Sequence, residues 1–235
     1  MTPPGTALLF FVKYPAPGKV KSRLASELGA EWTTGLYRAF VEDILHTIDG
    51  TGIPCHVAVH SPNAGSSIEN WLGRDRHYLP QEGADLGERM ANAFRAIFAA
   101  GAERAVLIGS DIPDLPASVL TDASNALESS DAVVGPARDG GYYLIGFRKD
   151  RFLPEIFRGI TWSRPDVFDR TRRIFQRSGT SLHVLSPWQD VDTIDDLRGL
   201  LLRNAGTAFA ASRTMQYLRT IPDRFSITEE HHGKI

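Results

Sequence analysis

The fold prediction starts from the stretch TALLFFVKYPAPGK, residues 6–19. Its first half, Thr6–Val12, is a continuous apolar run that is short and aromatic enough to favour a buried β-strand over a helix. The prolines and the glycine of its second half predict a loop. A buried strand that passes directly into a polar loop is typical of the first unit of an α/β sheet.

Strands and helices alternate along most of the remaining chain. Helical periodicity is clearest between residues 32 and 48, where large apolar side chains recur every four residues. Further short apolar runs predict strands at residues 53–60, 105–109, 131–135, 142–147 and 182–185. The alternation predicts one α/β domain with three α/β/α layers, Rossmann-like, around a mostly parallel sheet. We place this domain at residues 1–205 and expect residues 206–235 to form a C-terminal helical extension and tail.

Two aspartates and one threonine occupy positions that are typical of helix N-caps. Asp85 precedes a helix predicted over residues 85–100, in which Leu86, Met90 and Phe94 are expected to face the core. Thr193 stands three residues before Asp196, as in a capping box. Asp114 is expected to cap the helix that follows it.

Bulk composition excludes several classes of protein. The formal net charge of the 235 residues is −2, which favours neither nucleic acid nor a membrane surface as a partner. Cys55 is the single cysteine, so an intrachain disulfide and a multi-cysteine zinc site are both excluded. A reducing, cytoplasmic location is the simplest interpretation. The apolar run near the start is too short to span a bilayer.

The loop after the first strand concentrates positive charge. It brings together Lys13, Lys19, Lys21 and Arg23, with Gly18 allowing a close backbone approach. We expect a helix to begin near Lys19, so that its free N–H groups add to the attraction for an anion. The pattern favours a phosphate-binding loop at the end of the strand. A solvated basic face is the alternative, and the loop matches neither a Walker A motif nor G-x-G-x-x-G.

Carboxylates follow later strands. Ser110 and Asp111 come directly after the strand predicted at residues 105–109, where an aspartate suits a hard cation such as Mg²⁺. A turn or a helix cap is the alternative role for Asp111. Asp190 and Asp192 are two residues apart, so in an extended segment their side chains point the same way and could supply further metal ligands.

The segment Asp139-Gly140-Gly141 has two interpretations of equal weight. Asp-Gly is a strong turn signal, and a hairpin into residues 142–147 would account for it. Two consecutive glycines could also allow a phosphate or a sugar to approach the main chain.

Taken in order, these motifs resemble a known group of enzymes. The sequence resembles a bacterial family of transferases often found beside radical-SAM proteins, within the GT-A superfamily of nucleotide-diphospho-sugar transferases. The resemblance covers about residues 7–203, and it is the combination of motifs that is specific. The motifs are FVKYPAPGKVKSRL (11–24), GADLGERMANAF (83–94), GSDIPDLP (109–116), GPARDGGYYLIG (135–146) and WQDVDTIDDL (188–197).

The resemblance implies a role for each motif. In this superfamily, which includes molybdenum cofactor and phospholactate guanylyltransferases, the first loop grips the nucleoside triphosphate and a strand-end aspartate binds Mg²⁺ or Mn²⁺. It implies nucleotide contacts from Lys13, Gly18, Lys19, Lys21, Arg23, Asp85, Leu86, Gly87, Ser110, Gly140 and Gly141. It implies metal ligation by Asp111 and Asp192, with Asp190 beside them, and catalytic roles for Lys21, Arg23, Asp111 and Asp139, the last on the acceptor side.

The resulting expectation is a metal-dependent transferase with a nucleotide donor. Transfer of a nucleotidyl group from a nucleoside triphosphate to a small phosphorylated acceptor is the first hypothesis. Two alternatives stay open: glycosyl transfer from a nucleotide-diphospho-sugar, and nucleotide binding without catalysis. The first loop lacks the Leu-Ala-Gly-Gly pattern of many nucleotidyltransferases and is closer to the phospholactate guanylyltransferases.

Overall fold

A seven-stranded sheet crosses the computed structural model, which describes residues 5–60, 65–162 and 164–220. The strands are β1 (Thr6–Lys13), β2 (Cys55–His60), β3 (His77–Pro80), β4 (Arg104–Ile108), β5 (Ala132–Pro136), β6 (Tyr142–Arg148) and β7 (Leu182–Val184). The α-helices of the described ranges are α1 (Ser22–Leu28), α2 (Ala30–Thr51), α3 (Gly65–Leu72), α4 (Leu86–Ala99), α5 (Ala117–Ser129), α6 (Val167–Ser178), α7 (Ile194–Arg203) and α8 (Arg213–Leu218). None of these helices is long and apolar enough to span a bilayer.

The strand order is β3-β2-β1-β4-β6-β5-β7, and only β6 runs antiparallel to its neighbours. The chain moves to one side of β1 for β2 and β3 and then to the other side for β4. The carboxyl ends of β1 and β4 therefore flank a topological switch point, where open α/β sheets bind their ligands. The register pairs Phe10 with Ile108, the last residue of β4, so β1 extends three residues further, to Lys13.

Both faces of the sheet are buried, which explains the continuous apolar run of β1. Leu8, Phe10 and Val12 pack with the α2, α3 and α5 side chains, whereas Leu9 and Phe11 pack with those of α4 and α6. Successive strand residues point to opposite faces, so one strand supplies two cores. The predicted three-layer, mostly parallel α/β domain is confirmed.

A third apolar cluster joins the beginning and the end of the described chain. It contains Leu24 and Phe40 from α1 and α2, Leu200 from α7 and Leu218 from α8, with Val191 fully buried among them. This packing fixes the segment before α7 against α1. The domain boundary at residues 205 and 206 stays a prediction, and residues 221–235 of the predicted tail lie outside the described residues.

Two of the three predicted helix caps are present in the structure. Asp85 caps α4 by accepting a hydrogen bond from the Glu88 backbone N–H (2.9 Å). Thr193 and Asp196 form the expected capping box at α7. Both predictions are confirmed.

Three local predictions are wrong, because at each of these positions the tertiary structure differs from what the local sequence pattern indicates. The helix expected near Lys19 begins only at Ser22, after Lys21 adopts a left-handed conformation. Leu86 is 40% exposed, since it is the first residue of α4 and the buried residues of that helix begin only at Gly87. Asp114 caps no helix, because α5 begins after Pro116 and the Asp114 carboxylate is buried among side chains that follow β7.

The turn of the β5–β6 hairpin contacts Pro165 and Phe168, just before and at the start of α6. Gly140, in its turn, has a φ of +92°, and a Cβ there would collide with the Pro165 carbonyl oxygen. The Gly140 carbonyl also accepts a hydrogen bond from the Phe168 N–H (2.8 Å). Gly140 therefore permits the close approach of another backbone segment of the same protein.

We expect Gly140→Ala to destabilise the fold more than Gly101→Ala. Gly101 also has a positive φ (+106°), but nothing lies within 4 Å of its Cβ position. Both changes introduce backbone strain of about 1 kcal/mol, whereas the steric clash at Gly140 adds about 1–3 kcal/mol. Urea unfolding of both variants measures the difference, and equal losses would show that the Gly140–Pro165 contact relaxes freely.

Candidate active site

A cleft of about 390 Å³ opens at the carboxyl ends of β1 and β4. Its floor is apolar and includes Phe11, Leu107 and Ile145. The start of α4 lines it, and so do Trp162, Arg164 and Val167. The cleft therefore lies at the switch point at which the sequence analysis places the site.

Two of the predicted metal ligands meet at one cation on the edge of this cleft. The Lys21 ammonium forms ion pairs with Asp111 and with Asp192, 2.7 Å from the Asp192 Oδ1 atom. It also donates a hydrogen bond to the Val191 carbonyl oxygen (2.7 Å). Three segments far apart in sequence thus converge on a single buried charge.

Lys21 reaches the two carboxylates from behind the cleft. Its side chain is 3% exposed, while those of Asp111 and Asp192 are 47% and 41% exposed and line the cleft. Burial acts to lower the pKa of Lys21, but Asp111 and Asp192 outweigh it and raise the pKa above its usual value. Lys21 is also the only non-glycine residue of the described ranges at positive φ (49°). Such strain persists where surrounding contacts over-determine the conformation.

Asp190 and Asp139 complete an acidic side of the cleft. Asp190 and Asp192 both line it, while Val191 between them is fully buried, as the period-two spacing predicts. Burial raises the pKa of Asp190 to about 6, with further contributions from Asp139, Asp192 and Asp111. Asp139 is exposed and accepts a hydrogen bond from the Gly141 N–H (2.9 Å).

A buried network anchors the two loops that carry these carboxylates. The Asp114 carboxylate accepts hydrogen bonds from Arg203 (2.6 and 3.0 Å), Asn204 (2.8 Å) and the Trp188 indole (3.2 Å). Nearby, the Val191 N–H donates to the Asp111 carbonyl oxygen (2.9 Å). These contacts tie the loop after β4 to the segment before α7.

Ser110 is buried beside Asp111, and its hydroxyl lies 3.0 Å from that of Tyr37 on α2. The same Tyr37 hydroxyl accepts a hydrogen bond from the Lys13 N–H (3.0 Å). Burial raises the pKa of Tyr37 to about 12, so this phenol stays neutral. Ser110 therefore takes part in joining the ends of β1 and β4 to α2.

The predicted basic loop is only partly brought to the cleft. Lys13 lines the cleft, but Gly18, Lys19 and Arg23 are exposed outside its lining. The structure adds two arginines that the sequence analysis missed, Arg89 of α4 and Arg164. Neither belongs to a charge cluster in the sequence.

Arg89 is held at the end of the sheet near Lys13. Its Nε donates to the Gly83 carbonyl oxygen (3.1 Å), and its Nη1 lies 3.4 Å from His60 Nε2. Burial, and then Arg89 and Lys13, lower the pKa of His60. The β1–β2 side of the cleft is therefore cationic, whereas the four carboxylates line it from the segments after β4, β5 and β7.

The other predicted contact residues separate into two groups. Leu86 and Gly141 line the cleft, whereas Asp85 and Gly140 lie outside its lining. Gly87 is buried, and a Cβ there would collide with the Phe157 carbonyl oxygen. Gly87, like Gly140, thus allows another backbone segment of the protein to pack closely against it.

Two aromatic side chains also line the cleft, and the sequence motifs contain only the first, Tyr142. Tyr142 and Trp162 pack edge to face, with ring centroids 6.1 Å apart. Their buried Oη and Nε1 atoms have no hydrogen-bond partner among the described residues. The Asp-Gly-Gly-Tyr motif contains Tyr142, but nothing in the sequence around residue 162 indicates that Trp162 returns to it.

Fold and cleft together define a Rossmann-like α/β protein with a charged ligand site at the switch point of its sheet. The chain belongs to the family described as "Uncharacterized protein conserved in bacteria (DUF2064)", whose model matches residues 44–164. The matched range contains Leu86, Asp111 and Asp139. No curated protein matches the chain in sequence.

Solved structures extend the similarity to nearly the whole chain. A Desulfovibrio desulfuricans G20 protein, provisionally named a nucleotide-diphospho-sugar transferase, is 42% identical, with a TM-score of 0.89 over 92% of this chain and 94% of that one. A Methanothermobacter nucleotidyl transferase shares the fold at 15% identity, with a TM-score of 0.57 over 92% and 98% of the two chains. CMP-2-keto-3-deoxy-manno-octonic acid synthetase with bound CTP shares it at 10% identity, with a TM-score of 0.52 over 85% and 98%.

We expect Asp190→Asn to raise stability above pH 6 and to leave it unchanged near pH 4. Because the folded protein holds the Asp190 pKa at about 6, above its usual value of 3.8, folding takes up a proton between these pH values and stability falls as pH rises through them. A pKa shift of one unit corresponds to about 1.4 kcal/mol in the free energy of unfolding, and the partial solvation of Asp190 reduces this effect. We therefore expect the free energy of unfolding of the variant to exceed that of the wild type by about 1–2 kcal/mol at pH 7. Urea unfolding with EDTA across this range measures it, and parallel pH profiles of variant and wild type would contradict it.

Asp114→Ala is expected to destabilise the protein by about 3 kcal/mol, because it leaves the partly buried Arg203 charge without its partner. Asp150→Ala is the matched control. Its carboxylate pairs with Arg148 on the surface, which is worth less than about 1 kcal/mol. Urea unfolding compares the two, and similar losses would argue against the Asp114 network as the anchor of the loops.

Proposed function

We propose that this protein is a Mg²⁺- or Mn²⁺-dependent, cytoplasmic nucleotidyltransferase that moves a nucleotidyl group from a nucleoside triphosphate to a small phosphorylated acceptor. One observation carries the proposal. Asp111 and Asp192, from two distant segments, meet around a cationic group at the edge of a cleft at the switch point. Nucleotides bind at this place in Rossmann-like sheets.

The donor set fits a magnesium ion held jointly with a nucleotide. Among the described residues, no three His, Cys, Asp or Glu side chains form a ready-made metal site. Mg²⁺ is commonly bound by one or two carboxylates together with substrate phosphates, and Asp111 and Asp192 supply two half-exposed carboxylates that already converge on a positive charge. In the proposal these two residues hold the ion, with Asp190 beside them. Bound there, the ion would neutralise the charge that develops on the phosphates.

The cationic side of the cleft receives the triphosphate in this proposal. Lys13 and Arg89 line that side, and the exposed Lys19 and Arg23 are free to approach the phosphates from the rim. The exposed Leu86 side chain at the mouth of the cleft offers an apolar surface for the base.

In the proposal the acceptor approaches near Asp139, Tyr142 and Trp162, which line the same cleft. A phosphate oxygen of the acceptor attacks the α-phosphorus, the bond from that phosphorus to the α–β bridging oxygen breaks, and pyrophosphate leaves with its electron pair. An acceptor phosphate is already ionised, so no general base is required. Such a transfer depends mainly on positioning and electrostatics, and the charged residues of the cleft support the proposal in this respect.

Glycosyl transfer from a nucleotide-diphospho-sugar is the second candidate function. The name of the 42% identical Desulfovibrio protein favours it. In that reaction the same carboxylates would hold the metal with the leaving diphosphate, and Asp139 would face the acceptor.

The two functions release different products. The purified protein is incubated with Mg²⁺, a mixture of phosphorylated acceptors and either nucleoside triphosphates or UDP- and GDP-sugars, and pyrophosphate and nucleoside diphosphate are measured separately. Pyrophosphate release supports nucleotidyl transfer. Nucleoside diphosphate release from the sugar donors supports glycosyl transfer and contradicts the first proposal. Nucleotide-dependent stabilisation without either product contradicts both.

Asp111→Asn is expected to lower the turnover number by about 100-fold or more, because one of two metal-holding charges is lost where charge develops. Mg²⁺-dependent nucleotide binding should weaken in parallel. Asp195→Asn is the matched control, since Asp195 lies in the same acidic run but pairs with Arg198 on the surface of α7. Calorimetry and product assays compare the variants, and intact Mg²⁺-dependent binding in Asp111→Asn would refute the metal assignment.

A further inference from the structure

We propose that Lys21 is a positioning residue that makes metal binding depend on the nucleotide, rather than a phosphate ligand. The inference rests on the proposed metal site at Asp111 and Asp192. It departs from the role that the family resemblance implies for this lysine, which is direct neutralisation of the triphosphate.

The position of the Lys21 side chain separates it from any ligand in the cleft. It is 3% exposed and absent from the cleft lining, whereas both of its carboxylate partners line the cleft. Its ammonium donates to the Val191 carbonyl oxygen and lies 5.8 Å from the centre of the Phe40 ring, beneath the site. A phosphate in the cleft would meet the carboxylates before it met this lysine.

The charges of the three groups give Lys21 its effect on a metal ion. Two aspartates without a counter-ion present two negative charges, and the ammonium reduces this to one. A divalent ion in front of the pair would also be repelled by the ammonium behind it. We therefore expect the free protein to bind Mg²⁺ or Mn²⁺ weakly, and the phosphates of a bound nucleotide to supply the missing negative charge.

The backbone conformation of Lys21 supports a structural role for its buried side chain. Lys21 adopts a left-handed conformation (φ 49°, ψ 52°) immediately before α1, although glycine favours that region and a lysine does not. The conformation allows α1 to begin at Ser22 while the side chain turns back to the two aspartates. A lysine that served only as an exposed phosphate ligand would need neither the burial nor the strain.

Lys21→Met tests the inference, because methionine is similar in length and removes only the charge. Calorimetric titration with MnCl₂, without nucleotide, is expected to show at least about tenfold tighter binding than wild type, since the full charge of the carboxylate pair is then available. Structural damage alone would weaken metal binding, so a gain distinguishes the proposed role. Lys149→Met, at an exposed lysine after β6, is the control and should match wild type. Equal or weaker binding in Lys21→Met would overturn the inference.

A second measurement uses only the wild-type protein, so it tests the inference even if the Lys21→Met variant fails to fold. Thermal melting is recorded with millimolar MnCl₂, with pyrophosphate, and with both. The inference expects a clear rise in Tm only with both, because a ligand of the folded state stabilises it according to its affinity. A rise with MnCl₂ alone that equals the rise with both would overturn it. No rise under any condition, and no binding by Lys21→Met, would instead refute the metal site on which the proposed function also depends.

Discussion

The site depends on one buried ion-pair triad, in which the Lys21 ammonium lies between Asp111 and Asp192. A charge this deeply buried is tolerated only when it is paired and hydrogen-bonded, so the chain must bring these three positions together. That requirement determines local structure on all sides. Lys21 adopts a left-handed backbone conformation. Val191 is buried, so that Asp190 and Asp192 on either side of it can face the cleft. The Asp114 network ties together the two loops that carry Asp111 and Asp192. The apolar cluster of α1, α2, α7 and α8 encloses the triad from below.

The layers of the fold and the general place of the site could be predicted from the sequence because both follow from local rules. An apolar run such as Thr6–Val12 is long enough for a strand, too short for most helices, and apolar on both faces, which indicates burial between two helical layers. The carboxyl ends of parallel strands converge on one edge, so Lys13 and Asp111 could be expected near each other. Asp85 and Thr193 cap their own helices through contacts three residues away, and sequence spacing alone determines such contacts.

The finer features of the site depend on contacts that no local pattern records. A run of four cations looks uniform in sequence, yet Lys21 turns inward to two aspartates while Lys19 and Arg23 remain at the surface. Asp114 has the spacing of a cap, but its partners lie 74 to 90 residues further along the chain. Gly87 and Gly140 resemble ligand-binding glycines and instead admit Phe157 and Pro165 of the same chain. In each case the residue type was informative, while its partner could be identified only from the tertiary structure.

The distribution of charge in the cleft explains why a metal and a phosphorylated ligand would need each other there. Asp111, Asp139, Asp190 and Asp192 crowd one side, where burial, and then the neighbouring carboxylates, raise the pKa of Asp190. A triphosphate alone would meet repulsion from these carboxylates despite Lys13 and Arg89 on the other side. A divalent ion alone would meet carboxylates whose charge Lys21 already offsets from behind. A metal–nucleotide complex would satisfy both sides at once, because its phosphates would be attracted to the cationic side and its metal to the acidic one.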